Sequence, residues 1–107
     1  MKRGEVWTVS GSGDSGKPRP TVIIQDDRFD ATASLTVCVF TTDETDAPLF
    51  RTPVNPSEGN ALRATSRLMV DKISTVSKTR LGERIGHLDD SDQSRLNQAI
   101  IIFLGLA

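Results

Sequence analysis

An arginine locked between two prolines, at the head of an unbroken β-branched run, limits most strongly what this chain can become: Lys17-Pro18-Arg19-Pro20-Thr21-Val22-Ile23-Ile24-Gln25. Each proline ring fixes its own φ and pushes the residue before it toward extended geometry, so the backbone on both sides of Arg19 is stiff. The apolar run from Val22 to Ile24 reads as a buried strand. Together they set a guanidinium at the rim of a core, an arrangement suited to an anion such as phosphate. The competing reading is an edge strand that opens with prolines and carries one solvated arginine. A second strand-like run, Thr36-Val37-Cys38-Val39-Phe40-Thr41-Thr42, follows.

A chain of 107 residues has room for one core, so residues 1–107 are expected to form a single domain. With only 5% aromatic residues, that core has to be aliphatic. The single cysteine, Cys38, rules out an internal disulfide and suits a reducing compartment, so a cytoplasmic protein is expected. No apolar run reaches the length of a signal peptide or a membrane span. The net charge of −1 lacks the basic excess usual for nucleic-acid binders. Its distribution is uneven: from Ala61 to Leu88 six basic residues (Arg63, Arg67, Lys72, Lys78, Arg80, Arg84) stand against two acidic ones (Asp71, Glu83). Acid gathers at Asp43, Glu44, Asp46 and Glu58, and again at Asp89, Asp90 and Asp92. Such segregation allows a basic face for a polyanion and equally a solvated surface with no partner.

Glu5-Val6-Trp7-Thr8-Val9 alternates polar and apolar residues and predicts a first, half-buried strand. Ser10 to Gly16 is rich in glycine and serine and predicts a mobile loop. Further strands are expected at about Thr21 to Asp26, Ser34 to Thr42 and Leu49 to Val54, the last ended by Asn55-Pro56. The β pattern continues over Leu62 to Val70 and Ile73 to Val76. The C-terminus changes period: Asp90 and Gln93 form a capping-box arrangement before Leu96, Ala99, Ile100, Phe103 and Leu104 at helical spacing. A helix over about Ser91 to Leu104 is expected, with Gly105 as its C-terminal cap. Ile101 and Ile102 make it apolar over most of its circumference, so a second subunit is expected to cover part of it.

Gly11-Ser12-Gly13-Asp14-Ser15-Gly16-Lys17 matches the spacing of a phosphate-cradling loop, but the context is wrong. That mechanism needs a hydroxyl residue after the lysine and a helix whose N-terminus faces the phosphates. Here Pro18 and a β-branched run follow. His87, the only histidine, makes no zinc set with one distant cysteine. Cys38 and His87 could pair as nucleophile and base, yet a cysteine in an apolar strand is ordinarily neutral and inert. The pairs Asp26-Asp27 and Asp89-Asp90 suit a turn and a helix cap.

Five segments in order carry a resemblance: Lys2-Arg3-Gly4-Glu5-Val6-Trp7, Arg19-Pro20 entering Val22-Ile23-Ile24-Gln25, the strand end Phe40-Thr41-Thr42, the segment from Asp71 to Leu81, and the terminal amphipathic helix. Together they resemble the MazF/PemK family of toxin ribonucleases across essentially the whole chain. The resemblance implies a mainly β fold, an SH3-like β-barrel of bent antiparallel strands with a C-terminal α-helix. It also implies a homodimer, sequence-specific cleavage of single-stranded RNA, no cofactor, and neutralisation by a cognate MazE-like antitoxin through its C-terminal segment. The family's catalytic arginine falls on Arg19 and its catalytic threonine on Thr41. Family RNA contacts fall on the first loop, here Ser10 to Pro18 with Lys17, and around Asp26, Ser66 and Lys72. Two departures bear on base specificity: the first loop is almost entirely glycine and serine, and Asp26 stands where an asparagine is common.

The chemistry stands without the family. RNA carries its own nucleophile, so a 2′-hydroxyl can attack the adjacent phosphorus once it is aligned and deprotonated, the extra charge on phosphorus is stabilised and the leaving 5′-oxygen is protonated. Neither metal nor cysteine is required. A guanidinium offers donors matched to two phosphate oxygens, an electrostatic role. A threonine at a strand end offers a short, stiff hydroxyl to hold the phosphate or orient the 2′-hydroxyl. Two other classes share the implied fold: a CcdB-like gyrase poison, which relies on a tryptophan near the C-terminus where this chain has none, and an inert SH3-like interaction module.

Overall fold

A computed structural model of the chain describes residues 1–10, 17–44 and 49–106. Most of the predicted mobile loop, with the phosphate-loop spacing it contains, lies outside the described residues. Among those described, the strands are β1 (Glu5–Val9), β2 (Arg19–Ile23), β3 (Ser34–Thr41), β4 (Arg51–Val54), β5 (Ser66–Met69), β6 (Ser74–Ser77) and β7 (Leu81–His87). Helix α1 (Asp90–Phe103) closes the chain. All strand pairs are antiparallel, in the order β4-β5-β3-β2-β1-β7, with β6 on the same edge of β3 as β5. The expected mainly β architecture with a C-terminal helix is the observed one. No helix among the described residues is long and apolar enough to cross a membrane.

The unalternating run at Val22 and Ile23 has a structural cause: β2 and β3 are buried on both faces. Val22, Cys38 and Phe40 point into the larger core with Val6, Leu68, Leu88 and the helix residues Leu96 and Ala99. Ile23, Leu35 and Val37 point the other way and pack with Val76 under half-buried Trp7, Val9 and Leu81. Alternate residues of a strand face opposite sides, so a strand between two cores needs apolar residues at every position. Each large aliphatic side chain so buried contributes ~1.5–3 kcal/mol. Thr21, 1% exposed between the layers, donates its hydroxyl to Cys38 O at 2.9 Å and so ties β2 to β3.

Several boundaries differ from those read in the sequence. Strand β2 begins at Arg19 and ends at Ile23, short of Asp26, because the Asp26 carboxylate accepts from Arg28 N–H at 2.9 Å and caps a single 3₁₀ turn, Asp27–Phe29. The helix is capped by Asp89, whose Oδ1 accepts from Asp92 N–H at 2.7 Å, and not by the Asp90 and Gln93 box. Gln93 instead donates to Leu88 O at 3.3 Å. Leu62 to Ala64 are not strand, because Asn60 imposes a turn. Its buried Oδ1 accepts from Ser57 N–H and Leu62 N–H, both at 3.0 Å, and Ala61 adopts a left-handed φ of 57°. Gly105, with φ of 70°, follows the helix as expected.

Strand β7 has no counterpart among the strands expected from the sequence. Its residues, Leu81-Gly82-Glu83-Arg84-Ile85-Gly86-His87, bury little and do not alternate, since they form an edge whose one strand partner among the described residues is β1, across two register shifts. Among the described residues β4 and β7 end the hydrogen-bonded ladder and do not pair with each other. The loop after β4 joins those ends instead, where His87 N–H donates to Gly59 O at 2.8 Å.

Candidate active site

Strand β2 meets β3 in a register that pairs Ile23 with Val37, Val22 with Cys38 and Thr21 with Val39. The ladder stops there, where Pro20 brings a ring and no N–H. Continued by two residues, the same register would set Arg19 opposite Thr41. The place of the missing rungs is taken by a cleft of about 140 Å³ lined by Arg19, Pro20, Phe40, Thr41, Thr42 and Ser66. Arg19 itself is exposed, while the Val22 and Ile23 that follow it are fully buried. Arg19 thus stands at the exposed start of a strand whose next residues are anchored in the core.

The Thr41 hydroxyl is already oriented. Its Oγ1 accepts from Asp43 N–H at 3.1 Å, a turn of the kind that threonine side chains form with the backbone two residues on. A hydroxyl that accepts there keeps its own hydrogen to donate, which fits a phosphate oxygen better than it fits a base. Ser66, 6% exposed, has its hydrogen committed to Ala64 O at 3.1 Å, so it serves as wall.

Two larger clefts adjoin the small one. Arg19 and Thr21 also border a space of about 280 Å³ reaching Ser74, Val76 and Arg80. Pro20, Thr42 and Ser66 also border one of about 550 Å³ whose far wall is Leu62, Arg63 and Ile85. The basic excess read between Ala61 and Leu88 reaches this region only in part. Lys78 is paired with Asp30 and Arg84 with Glu5, the latter at 2.9 Å. Arg63 and Arg80 remain at the clefts with Arg19.

Residues 2–104 match the family described as PemK-like, MazF-like toxin of type II toxin-antitoxin system. The chain belongs to that family. It is 49% identical to "Probable endoribonuclease MazF" of Mycolicibacterium smegmatis, over all of this chain and 99% of the relative. It is 32% identical to endoribonuclease EndoA of Bacillus subtilis, over 99% of this chain and 96% of the relative. Among solved structures it superposes on an endoribonuclease in complex with its cognate antitoxin, from a Mycobacterial species. That match has a TM-score of 0.83 and 25% identity, covering 100% of this chain and 97% of the other.

The residues assigned by resemblance to this toxin family do not all gather. Arg19, Thr41 and Ser66 line one cleft. Lys17 is exposed just before Pro18, which borders the largest cleft. Lys72 ends the 3₁₀ turn Val70–Lys72, two residues before Ser74 of the second cleft. Asp26 lies beyond the opposite end of β2, where hydrogen bonds from the backbone and side chain of Arg28 hold its carboxyl below the usual range. Neighbours the sequence did not single out are Thr42, which joins two clefts, and Asp43, whose N–H donates to the Thr41 hydroxyl. Only the register could have shown them.

Cys38 and His87 make no catalytic pair. Cys38 is fully buried in the larger core, and burial, with the nearby charge of Asp71, pushes its thiol up to about 12. His87 is exposed at the end of β7. The folded protein should therefore react with iodoacetamide at neutral pH at least ~10²-fold more slowly than after denaturation, since a thiol raised that far holds ~10³-fold less thiolate than an ordinary one. Fast alkylation of the native thiol would show that Cys38 is reachable and ionised.

Proposed function

We propose that this chain is a toxin endoribonuclease that cuts single-stranded RNA at specific sequences by attack of the 2′-hydroxyl on the adjacent phosphorus. The observation that carries the reading is the break between β2 and β3, where Arg19 and Thr41 meet across a cleft open to solvent. In this reading Arg19 places two N–H groups on the non-bridging oxygens and stabilises the charge that grows on phosphorus. Thr41 donates its hydroxyl hydrogen to the same phosphate and fixes the angle between the 2′-oxygen and the leaving 5′-oxygen. Arg63, Arg80 and Lys17 attract the flanking backbone, while Ser66 and Lys72 border the path. Asp26 stands apart from the reacting centre and bears on a nucleotide further along. The reaction takes its nucleophile from the RNA and its charge stabilisation from the guanidinium, so the chemistry asks for no metal.

The toxin acts in the cytoplasm as a homodimer and is restrained by a cognate MazE-like antitoxin. The dimer is supported by the end of α1, where Ile101, Ile102 and Phe103, with Leu104 just past the helix, are all exposed, apolar surface that a second copy would cover. The antitoxin's C-terminal segment, disordered alone, orders across the clefts and competes with RNA for the same arginines. A gyrase-trapping role has no support in the C-terminal residues, and a passive module leaves the Arg19 and Thr41 arrangement unexplained.

Purified protein should cut a long RNA in excess EDTA and leave 2′,3′-cyclic phosphate and 5′-hydroxyl ends, read by end-labelling with and without phosphatase. Ends of the opposite type, 5′-phosphate and 3′-hydroxyl, would reject the 2′-hydroxyl mechanism. No cutting by a folded dimer would reject the enzyme.

A further inference from the structure

Thr41 has a cross-strand neighbour on its other side. Strand β5 pairs with β3 so that Arg67 stands directly opposite Thr41 and Leu68 opposite Phe40. The half-buried Arg67 side chain does not line the cleft; its Nη1 donates to Asp43 O at 3.2 Å. Asp43 N–H in turn donates to Thr41 Oγ1 at 3.1 Å. Residue 43 is thus held from both sides, by the threonine it orients and by an arginine on the next strand. Asp43 is itself exposed and sits two residues past Thr41, the last residue of β3.

We propose that Arg67 is a positioning residue of the ribonuclease site: it pins the Thr41–Asp43 turn against β5 and so keeps the Thr41 hydroxyl hydrogen aimed into the cleft. The inference rests on the ribonuclease reading for its kinetic consequence, though the clamp is a property of the free protein. Without Arg67 the turn loses its tie to β5, the Asp43 N–H to Oγ1 bond loosens, and the hydroxyl turns more freely among its staggered positions. The 2′-hydroxyl attack then proceeds with Arg19 alone. A guanidinium is suited to this post because its long planar fork spans from β5 to the turn.

Because it acts through Thr41, Arg67 cannot be worth more than Thr41 is. Arg67→Gln should lower kcat by up to about tenfold and leave KM near the wild-type value, since misplacing a reacting group impairs chemistry more than binding. In a Thr41→Ala background the same change should cost nothing further, the signature of two residues acting as one unit. Arg67→Lys should restore most of the rate, because one donor to Asp43 O suffices. Asp43→Pro, which deletes the N–H on an exposed turn, should reproduce the loss and guards against a misfolded Arg67→Gln. The probe is an RNA oligonucleotide containing a site mapped with wild-type protein. A second readout needs no RNA: exchange of the Asp43 amide, followed by NMR, should quicken in Arg67→Gln and slow again in Arg67→Lys.

Additive losses in the double variant, or a raised KM with a salt slope reduced by about one, would make Arg67 a direct phosphate contact and overturn the positioning role. An Asp43 amide indifferent to Arg67 would overturn the clamp itself. A wild-type protein that cuts no RNA would reject the ribonuclease reading, and the amide exchange would still decide the clamp.

Discussion

Arg19→Ala should slow RNA cleavage by at least about 10²-fold while leaving the melting temperature unchanged, 10²–10³-fold being the scale of removing one preorganised charge-stabilising donor. The separation of the two effects follows from where Arg19 sits. Its side chain is exposed, and the packing of β2 begins two residues later at Thr21 and Val22, both at or near zero exposure. Alanine keeps the extended backbone that the flanking prolines impose, so the strand should still dock. What disappears is the pair of N–H donors that the proposed mechanism places on the phosphate. Arg19→Lys should recover part of the rate, since a point charge neutralises but cannot hold two oxygens at once. Thr41→Ala should lose less than Arg19→Ala, about 10- to 10²-fold, because one hydrogen bond to a charged group contributes ~1.5–3 kcal/mol. Single-turnover rates beside thermal melts read all three. A folded Arg19→Ala protein that cuts within a few-fold of wild type would remove Arg19 from the site.

The sequence carried the strands that bury side chains and missed the one that does not. Alternation marks β1, and β-branched runs mark β2 and β3, because those strands face a core. Strand β7 is an edge with two glycines and exposed charges, held by backbone bonds to β1, and backbone bonding leaves no trace in side-chain pattern. The site was legible in the same uneven way. Arg19 is announced by its prolines, a local effect. Thr41 needed the family resemblance, because a threonine ending a strand is ordinary until the register sets it across from Arg19. Asp43 and Arg67 depend on how β3, β5 and the following turn align, a relation between segments far apart in the chain. The helix cap was displaced by one residue because adjacent aspartates offer equivalent carboxylates, and only the entry angle of the chain chooses between them.

Gly86→Ala should destabilise the fold by about 1–3 kcal/mol or more, the usual cost of forcing a methyl into a packed site. A Cβ there would lie 2.3 Å from Gly59 O and 2.9 Å from the Asn60 carbonyl carbon. Both are backbone atoms, and neither can turn aside. The adjacent His87 N–H to Gly59 O bond is the contact that joins the loop after β4 to β7, so relief by separation would open the two ends of the sheet. Gly82→Ala is the control. Its Cβ would meet Thr8 Oγ1 at 2.4 Å, the end of a side chain that can rotate at the cost of the bond it accepts from Glu83 N–H. That substitution should cost no more than ~0.5–1.5 kcal/mol. The loop that Gly86 holds also supplies Leu62 and Arg63 to the cleft beside Ser66, so Gly86→Ala should weaken RNA binding at temperatures where the protein is still folded. Thermal melts of the two variants, followed by RNA titrations well below each midpoint, test both parts. Equal stability of Gly86→Ala and Gly82→Ala would mean that the loop does not hold the ends of the sheet together.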